Sequence, residues 1–142
     1  MTILVINSGS SSLKFQVIDS ENEEVLAKGV CERIGIDGRF TYRTRTGISL
    51  KEAVPMKNHT QAVHTLLDTL ADPEKGVIKD FREIDVIGHR LVHGGEKFTG
   101  SVVITDEVTQ AMTECNDLAP LHNPANLVGV EACRKMMPDT LM

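Results

Sequence analysis

The amino terminus is the part of the sequence that most restricts what this chain can fold into. Residues 3–6 are continuously apolar, which is typical of a strand buried on both faces in a layered α/β domain. Residues 7–12 contain one glycine and four serines, a composition that favours a turn. Leu13, Phe15 and Val17 then occupy alternate positions and predict a second strand. The sequence therefore predicts a hairpin around a serine-rich turn.

Strands dominate the first half of the chain, and helices alternate with strands in the second half. Further strands are predicted at residues 24–34, 40–45, 48–54 and 84–92, and helices are predicted to begin after Asn58, at Thr105 or Asp106, and at Asn123. Asp72-Pro73 ends the first of these helices, and Pro138 lies beyond the last. The economical interpretation is one α/β domain with a mixed sheet.

Composition excludes several classes of protein. The net charge of −5 argues against a protein that coats nucleic acid or binds an acidic membrane surface. No apolar run is long enough to span a bilayer, and the amino terminus lacks the basic region of a signal peptide. The three cysteines lie far apart without a C-x-x-C pair, which favours inert packing in a reducing compartment. We therefore expect a cytoplasmic protein with no nucleic-acid or membrane partner.

Residues 7–14 form the first candidate site. Gly9 allows a ligand to approach the backbone closely, and main-chain N–H groups and serine hydroxyls can bind phosphate oxygens, with Lys14 as a point charge. Asn7 lies at the carboxyl end of the first strand, where open α/β sheets place ligands. The segment is not a Walker A motif, because it lacks that motif's second glycine and following helix. An ordinary serine-rich hairpin remains the alternative.

The strand end at residues 89–95 is the second candidate site. Arg90 can pair bidentately with a carboxylate or a phosphate, and His93 can donate hydrogen bonds to developing charge. Val92 can line a small apolar pocket beside Arg90 and His93. Because His89 and His93 flank Arg90 at the end of a strand, the pattern favours a functional site over a solvated strand end.

His122 is the third candidate, because it lies just before the helix predicted at Asn123. A helix amino terminus favours anions through its free N–H groups and its dipole, so His122 can join a phosphate-stabilising cluster. A simple capping turn explains Asn123-Pro124 equally well. His59 and His64 are predicted to stay outside these groups, and the histidines show no spacing typical of zinc ligands.

Three blocks of the sequence resemble the signatures of the acetate and butyrate kinase family: LVINSGSSSLKF at residues 4–15, HRLVHGG at residues 89–95 and PLHNP at residues 120–124. They occur in the family's order with family-like spacing, and the resemblance covers essentially the whole chain. It implies a ribonuclease-H-like fold, as in actin, the sugar kinases and Hsp70, with a mixed five-stranded-type sheet flanked by helices. It also implies reversible transfer of the ATP γ-phosphoryl to acetate, giving acetyl phosphate and ADP, with Mg²⁺.

The resemblance also assigns roles to residues of the first block, position by position. Asn7 is implied to position magnesium and phosphate. Ser10, Ser12 and Lys14 are implied to line the phosphate path. These roles agree with what phosphoryl transfer requires, which is positioning and positive charge around the transferring group.

The second and third blocks supply the implied substrate site. Arg90 is implied to bind the acetate carboxylate or the transferring phosphoryl group. Val92 and Leu121 are implied to hold the acetate methyl group. His122 is implied to stabilise the phosphoryl group during transfer.

The family's catalytic aspartate and adenosine-binding segment have no counterpart in this sequence. We therefore expect residues 1–142 to be the amino-terminal lobe of a homodimeric kinase whose nucleotide-binding lobe lies outside the chain, and we expect the isolated chain to be inactive. A propionate or butyrate kinase, a non-catalytic module that binds phosphate or carboxylate, and an interaction domain with an inactive site remain alternatives. The size of the pocket around Val92 and Leu121 would decide the substrate.

Overall fold

The computed structural model describes residues 1–91, 102–116 and 123–142, except for the side chain of Asn123. Within these residues six strands form one mixed sheet in the order β5-β4-β3-β2-β1-β6. The strands are β1 (Thr2–Ser8), β2 (Leu13–Asp19), β3 (Glu24–Glu32), β4 (Arg39–Thr44), β5 (Ser49–Glu52) and β6 (Val86–His89). All neighbouring strands in this part of the chain are antiparallel except β1 and β6, which are parallel.

The six strands correspond to the six predicted from the sequence, one more than the five-stranded type that the family resemblance implies, and the short edge strand β5 pairs with β4. The predicted amino-terminal hairpin is confirmed: β1 and β2 pair over seven positions, from Thr2 with Asp19 to Ser8 with Leu13. The strand predicted at residues 84–92 is shorter than expected at its start. Ile84 caps a short 3₁₀ turn, its N–H donating to the carbonyl of Phe81, so strand pairing begins only at Val86.

The predicted starts of the first two helices are confirmed by their caps. Asn58 precedes α1 (His59–Leu70), and its side-chain oxygen accepts a hydrogen bond from the Gln61 N–H at 2.9 Å. Thr105 caps α2 (Asp106–Glu114) in the same way. The third helix, α3 (Asn123–Met136), ends before Pro138 as predicted. No helix among the described residues is long and apolar enough to cross a membrane.

One face of the sheet carries the hydrophobic core. Leu4 and Ile6 of β1 and Ile87 of β6 are fully buried there against α3, in one hydrophobic cluster with the buried residues of α1. An aromatic row continues the core across the sheet, formed by Phe15, Phe40 and Tyr42 with ring centroids 6.1–6.5 Å apart. Each such buried side chain stabilises the fold by roughly 1.5–3 kcal/mol. The core therefore fixes the position of β1 and of the turn that follows it.

The cysteines pack as the sequence predicted. Cys31, Cys115 and Cys133 are all buried and free. Burial raises the pKa of the Cys31 and Cys133 thiols from 9.0 to about 12. Both thiols therefore stay protonated and behave as small apolar groups.

Candidate functional site

The face of the sheet opposite the core forms the floor of a groove of about 600 Å³. Strand alternation turns Asn7 to this face, since its neighbours Ile6 and Ser8 are buried on the other. Lys14 lies directly opposite Asn7 in the register of β1 and β2. Arg90 follows β6, and its N–H donates to the Ile6 carbonyl at 3.0 Å, which extends the parallel pairing. The structure thus brings three of the predicted site residues together in one groove.

The groove is strongly positive. Among the described residues, its lining contains the cations Lys14, Lys28, Arg43 and Arg90 and no acidic residue. None of the four forms an ion pair in the described part of the chain. Cations gathered on the wall of a concave surface raise the local concentration of anions. The groove is therefore suited to a phosphate or a carboxylate.

Lys28 and Arg43 are site residues that the sequence reasoning missed. They lie directly opposite each other in the register of β3 and β4, on the groove face. Like charges in that position destabilise a sheet slightly, and a bound anion would relieve this repulsion. Period-two alternation in the two predicted strands was a usable signal for these cations, but the pairing register was not visible in the sequence.

Ser10 and Ser12 belong to the turn after β1 and do not line the groove. The Gly9 N–H donates to the Ser12 carbonyl at 2.8 Å and closes the turn. A Cβ at Gly9 would lie 2.7 Å from the Ser12 Oγ, so glycine is needed for the hydroxyl to pack over this position. Ser10 is exposed and Ser12 is half-buried, and both remain accessible to a ligand at the end of the sheet.

The prediction that His59 stays apart from the candidate sites is wrong. His59 is only 7% exposed, and its Nε2 donates to the Gly9 carbonyl at 2.7 Å. Asn126 Nδ2 donates at 2.7 Å to the carbonyl of the preceding residue, Ser8. A signal was present: His59 precedes Val63, Leu66 and Leu70 on the buried stripe of α1 at helical spacing. His64 is exposed beside Asp68, as predicted.

His89 does not join Arg90 in the groove, contrary to the prediction for residues 89–95. It follows Ile87 by two positions on β6, so its side chain lies on the core face. Burial, with a smaller contribution from the positive charge of Arg134, lowers the pKa of His89 from 6.5 to about 4. Its buried Nε2 has no hydrogen-bond partner in the described chain. His89 is therefore a neutral histidine, partly buried on the core face of β6.

Four predicted residues fall outside the described parts of the chain. Val92, His93, Leu121 and His122 belong to residues 92–101 and 117–122. Their assigned roles remain predictions. The described half of the site consists of the groove and the turn.

A mixed sheet with helices on its core face, a serine-rich turn after its first strand and a cationic groove defines an α/β domain that can receive small anions. Backbone N–H groups, hydroxyls and guanidinium groups are the usual donors to phosphate and carboxylate oxygens. The arrangement does not by itself distinguish an enzyme from a binding module.

Comparison with known proteins identifies the family. The profile of the acetokinase family matches residues 2–141, and the chain belongs to that family. It is 58% identical over its whole length to an acetate kinase of Agathobacter rectalis, of which it covers 36%. The crystal structure of Porphyromonas gingivalis acetate kinase superposes on 99% of the chain with a TM-score of 0.95 and 45% identity, and the chain covers 35% of it. A propionate kinase from Francisella tularensis superposes on 99% of the chain with a TM-score of 0.88 and 31% identity, and is covered to 35%.

These comparisons confirm the predicted family and the predicted fold, a mixed α/β domain of the acetate and propionate kinase type. The chain spans only about a third of the length of the relatives it matches.

Proposed function

We propose that this chain is the amino-terminal lobe of a homodimeric cytoplasmic kinase that transfers the γ-phosphoryl of ATP reversibly to acetate, giving acetyl phosphate and ADP. The observation that carries the proposal is the convergence of Asn7, Lys14 and Arg90 in a groove whose described lining contains four cations and no acid, in a chain of the acetokinase family. Such a groove supplies the positive charge that phosphoryl transfer needs. Most of the remaining catalytic effect comes from positioning the two substrates relative to each other.

The proposed reaction is an in-line displacement at phosphorus. An acetate oxygen attacks the γ-phosphorus, the bond from that phosphorus to the β–γ bridging oxygen breaks, and ADP leaves with the electron pair. Arg90 holds the acetate carboxylate or the phosphoryl oxygens through its paired N–H groups. Lys14 adds a point charge on the phosphate path, which Ser10 and Ser12 line with hydroxyl donors.

The undescribed residues complete the proposed site. His122 donates a hydrogen bond to the phosphoryl group during transfer, when negative charge spreads over its equatorial oxygens. Val92 and Leu121 enclose the methyl group of acetate. The second lobe supplies the adenosine site and the catalytic aspartate that this chain lacks.

Magnesium is the metal expected with ATP, but the described residues do not hold it alone. Mg²⁺ in phosphoryl-transfer enzymes is usually bound by one or two carboxylates together with the substrate phosphates. The described lining of the groove has no carboxylate, and the described residues contain no group of three potential His, Cys, Asp or Glu ligands. Asn7 offers one neutral oxygen. The proposed role of Asn7 is therefore to support an ion whose other ligands come from the nucleotide and from outside the described chain.

Acetate is favoured over propionate as the substrate by sequence identity. Acetate kinases of Agathobacter rectalis and Lachnoclostridium phytofermentans are 58% and 56% identical to the chain. The propionate kinase is 31% identical, about the same as an acetate kinase of Entamoeba histolytica at 30%, so the acetate preference rests on the more similar relatives. Butyrate kinase remains an alternative within the family. A non-catalytic binding module and an inactive interaction domain are the alternatives outside it, since the groove alone would serve any of them.

Acetyl phosphate trapped by hydroxylamine tests the proposal. The full-length kinase that carries this lobe should form the hydroxamate with acetate faster than with propionate or butyrate, and the isolated 142-residue chain should form none. Arg90→Ala in the full-length protein should lower kcat/KM by about a hundredfold to a thousandfold, as loss of one charge-stabilising group does.

Arg82→Ala provides the matched control, because Arg82 is exposed and pairs with Asp80 on the 3₁₀ turn, outside the groove. It should leave turnover unchanged. Turnover by the isolated chain near the full-length rate would contradict the lobe assignment. Full activity after Arg90→Ala would favour a non-catalytic role for the groove.

A further inference from the structure

Two helices hold the back of the serine-rich turn through consecutive carbonyl groups. His59, the first residue of α1, donates from Nε2 to the Gly9 carbonyl, and Asn126 of α3 donates from Nδ2 to the Ser8 carbonyl, each at 2.7 Å. Both side chains are buried, with exposures of 7% and 5%. A carbonyl oxygen only accepts, so the Nε2 of His59 must carry the proton. Both contacts therefore belong to the buried interior of the domain and not to its surface.

The hydrogen bond from His59 fixes the orientation of the whole peptide group between Gly9 and Ser10, and not only of the Gly9 carbonyl. The peptide between Gly9 and Ser10 is planar and trans, because the described chain contains no cis peptide bond. In a trans peptide the C=O and N–H groups point in opposite directions. With the Gly9 oxygen directed inward to His59, the Ser10 N–H is directed outward, where Ser10 itself is exposed.

The Ser10 N–H has no hydrogen-bond partner in the described part of the chain. The turn is closed by a different group, the Gly9 N–H, which donates to the Ser12 carbonyl. The strand register of β1 and β2 ends at Ser8 and Leu13, so pairing between these strands does not reach Ser10. An outward, unpaired N–H at the end of the first strand is a preformed donor for an anion oxygen.

We propose that His59 is a positioning residue that orients the Ser10 N–H toward a phosphate oxygen of the nucleotide or of acetyl phosphate by holding the carbonyl of the same peptide. This inference rests on the proposed function, since it assigns the phosphate donor within that site. Loss of the His59 bond would free the peptide to rotate, and the donor would no longer be preorganised when charge develops on the phosphoryl group.

Two polar substitutions of different reach test the proposal. In His59→Gln the side-chain nitrogen can occupy the place of the imidazole Nε2, whereas in His59→Asn the side chain is one methylene shorter and cannot reach the Gly9 carbonyl. His64→Gln and His64→Asn are the matched controls, because His64 lies on the exposed side of the same helix. Thermal unfolding shows whether each variant remains folded.

Kinetics of the full-length kinase provide the first measurement. His59→Gln should stay within about threefold of the parent in kcat, and His59→Asn should lose about tenfold to a hundredfold in kcat with a smaller change in the KM for acetate. Both His64 variants should match the parent. Equal losses of kcat in the Gln and Asn variants would overturn the proposal, because His59 would then act only through its packing and not through its hydrogen bond.

NMR of the labelled 142-residue chain provides a measurement that does not need turnover. The Gly9 carbonyl ¹³C resonance should shift in His59→Asn and stay in place in His59→Gln, and the Ser10 amide should respond to inorganic phosphate only where the His59 contact is kept. An unchanged Gly9 resonance in a folded His59→Asn variant would contradict the contact.

If His59→Asn fails to fold, loss of the phosphate response in His59→Gln overturns the proposal and its retention supports it. A parent that shows the Gly9 contact but neither phosphate response nor turnover would refute the proposed function instead.

Discussion

At the scale of single residues, His59 and His89 have opposite roles. His59 is buried and forms a hydrogen bond with the Gly9 carbonyl, whereas the Nε2 of His89 is buried without a partner in the described chain. A buried imidazole without a partner for its second nitrogen resists protonation, because the charged form would lose its hydration. His89 should therefore make the stability of the fold depend on pH.

We expect the free energy of unfolding to fall as the pH is lowered from about 6.5 to about 4. The pKa of His89 is lowered in the folded chain from 6.5 to about 4, so the unfolded chain binds the proton more readily throughout this interval. The lost stability amounts to about 3 kcal/mol at most, since each pKa unit corresponds to about 1.4 kcal/mol. Denaturant unfolding at a series of pH values measures it.

His89→Gln should flatten the pH dependence in this interval, and His64→Gln should not, because His64 is exposed. A slope that persists unchanged after His89→Gln would show that carboxylates, and not His89, control stability in this range.

Residue burial was only partly predictable from the sequence. Strand alternation predicts the face of the sheet on which Asn7, Lys14 and Arg90 lie, once the strands are known. The side of His89 was misjudged because its neighbours in the sequence, Arg90 and His93, suggested a cluster, although adjacent strand residues face opposite ways. His59 was misjudged because its contact with the Gly9 carbonyl joins residues 50 positions apart, and no local pattern shows such a contact.

At the scale of secondary-structure elements, α3 approaches β1 through a glycine. A Cβ added at Gly129 would lie 2.5 Å from the Ser8 Cβ and 2.9 Å from the Ser8 Oγ. This close approach lets Asn126, one turn earlier on α3, reach the Ser8 carbonyl. The distance between α3 and β1 therefore controls how the turn is held.

Gly129→Ala should lower stability although alanine favours helices. The gain in helix propensity is about 1 kcal/mol, while a forced contact in a packed core typically costs about 1–3 kcal/mol. The midpoint of thermal unfolding should therefore drop, and the Asn126–Ser8 hydrogen bond should weaken.

Gly88→Ala is the control for this comparison, because a Cβ at Gly88 meets no atom of the described residues within 4 Å. It should leave the unfolding midpoint nearly unchanged. A Gly129→Ala variant as stable as the parent would show that α3 can move away from β1 at little cost.

Most elements were predictable because their signals are local. The cap at Asn58, the apolar stripe of α1 and the alternation in β2 each lie within a few residues of one another. Sheet order and register were not predictable, since they depend on pairings such as Ile6 with His89 that are distant in sequence. The groove is a product of that register, and Lys28 and Arg43 could be placed in it only by the structure.

At the scale of the whole molecule, the two faces of the sheet differ in chemistry. The core face is covered by α1 and α3 and contains the buried thiols of Cys31 and Cys133. The other face presents the cationic groove. The core face should therefore open only when the domain unfolds, and the thiols can report this event.

Cys31 and Cys133 should react with a thiol reagent at least about a thousandfold more slowly in the folded chain than in denaturant. Both are fully buried, and burial raises the pKa of each thiol to about 12, so the reactive thiolate forms only when the core opens. Mass spectrometry of timed labelling gives the rate at each cysteine. Fast labelling of both sites in native buffer would contradict a single cooperative core.

The way the turn is held also has a consequence for the order of folding. The hairpin of β1 and β2 is a local structure, but the contact from Asn126 to Ser8 spans 118 residues and the contact from His59 to Gly9 spans 50. Contacts of such separation form late, because closing long loops costs entropy before any packing is gained. The chain should thus acquire its hairpin early and its affinity for phosphate last, so that a nascent or half-folded chain does not capture the ligand.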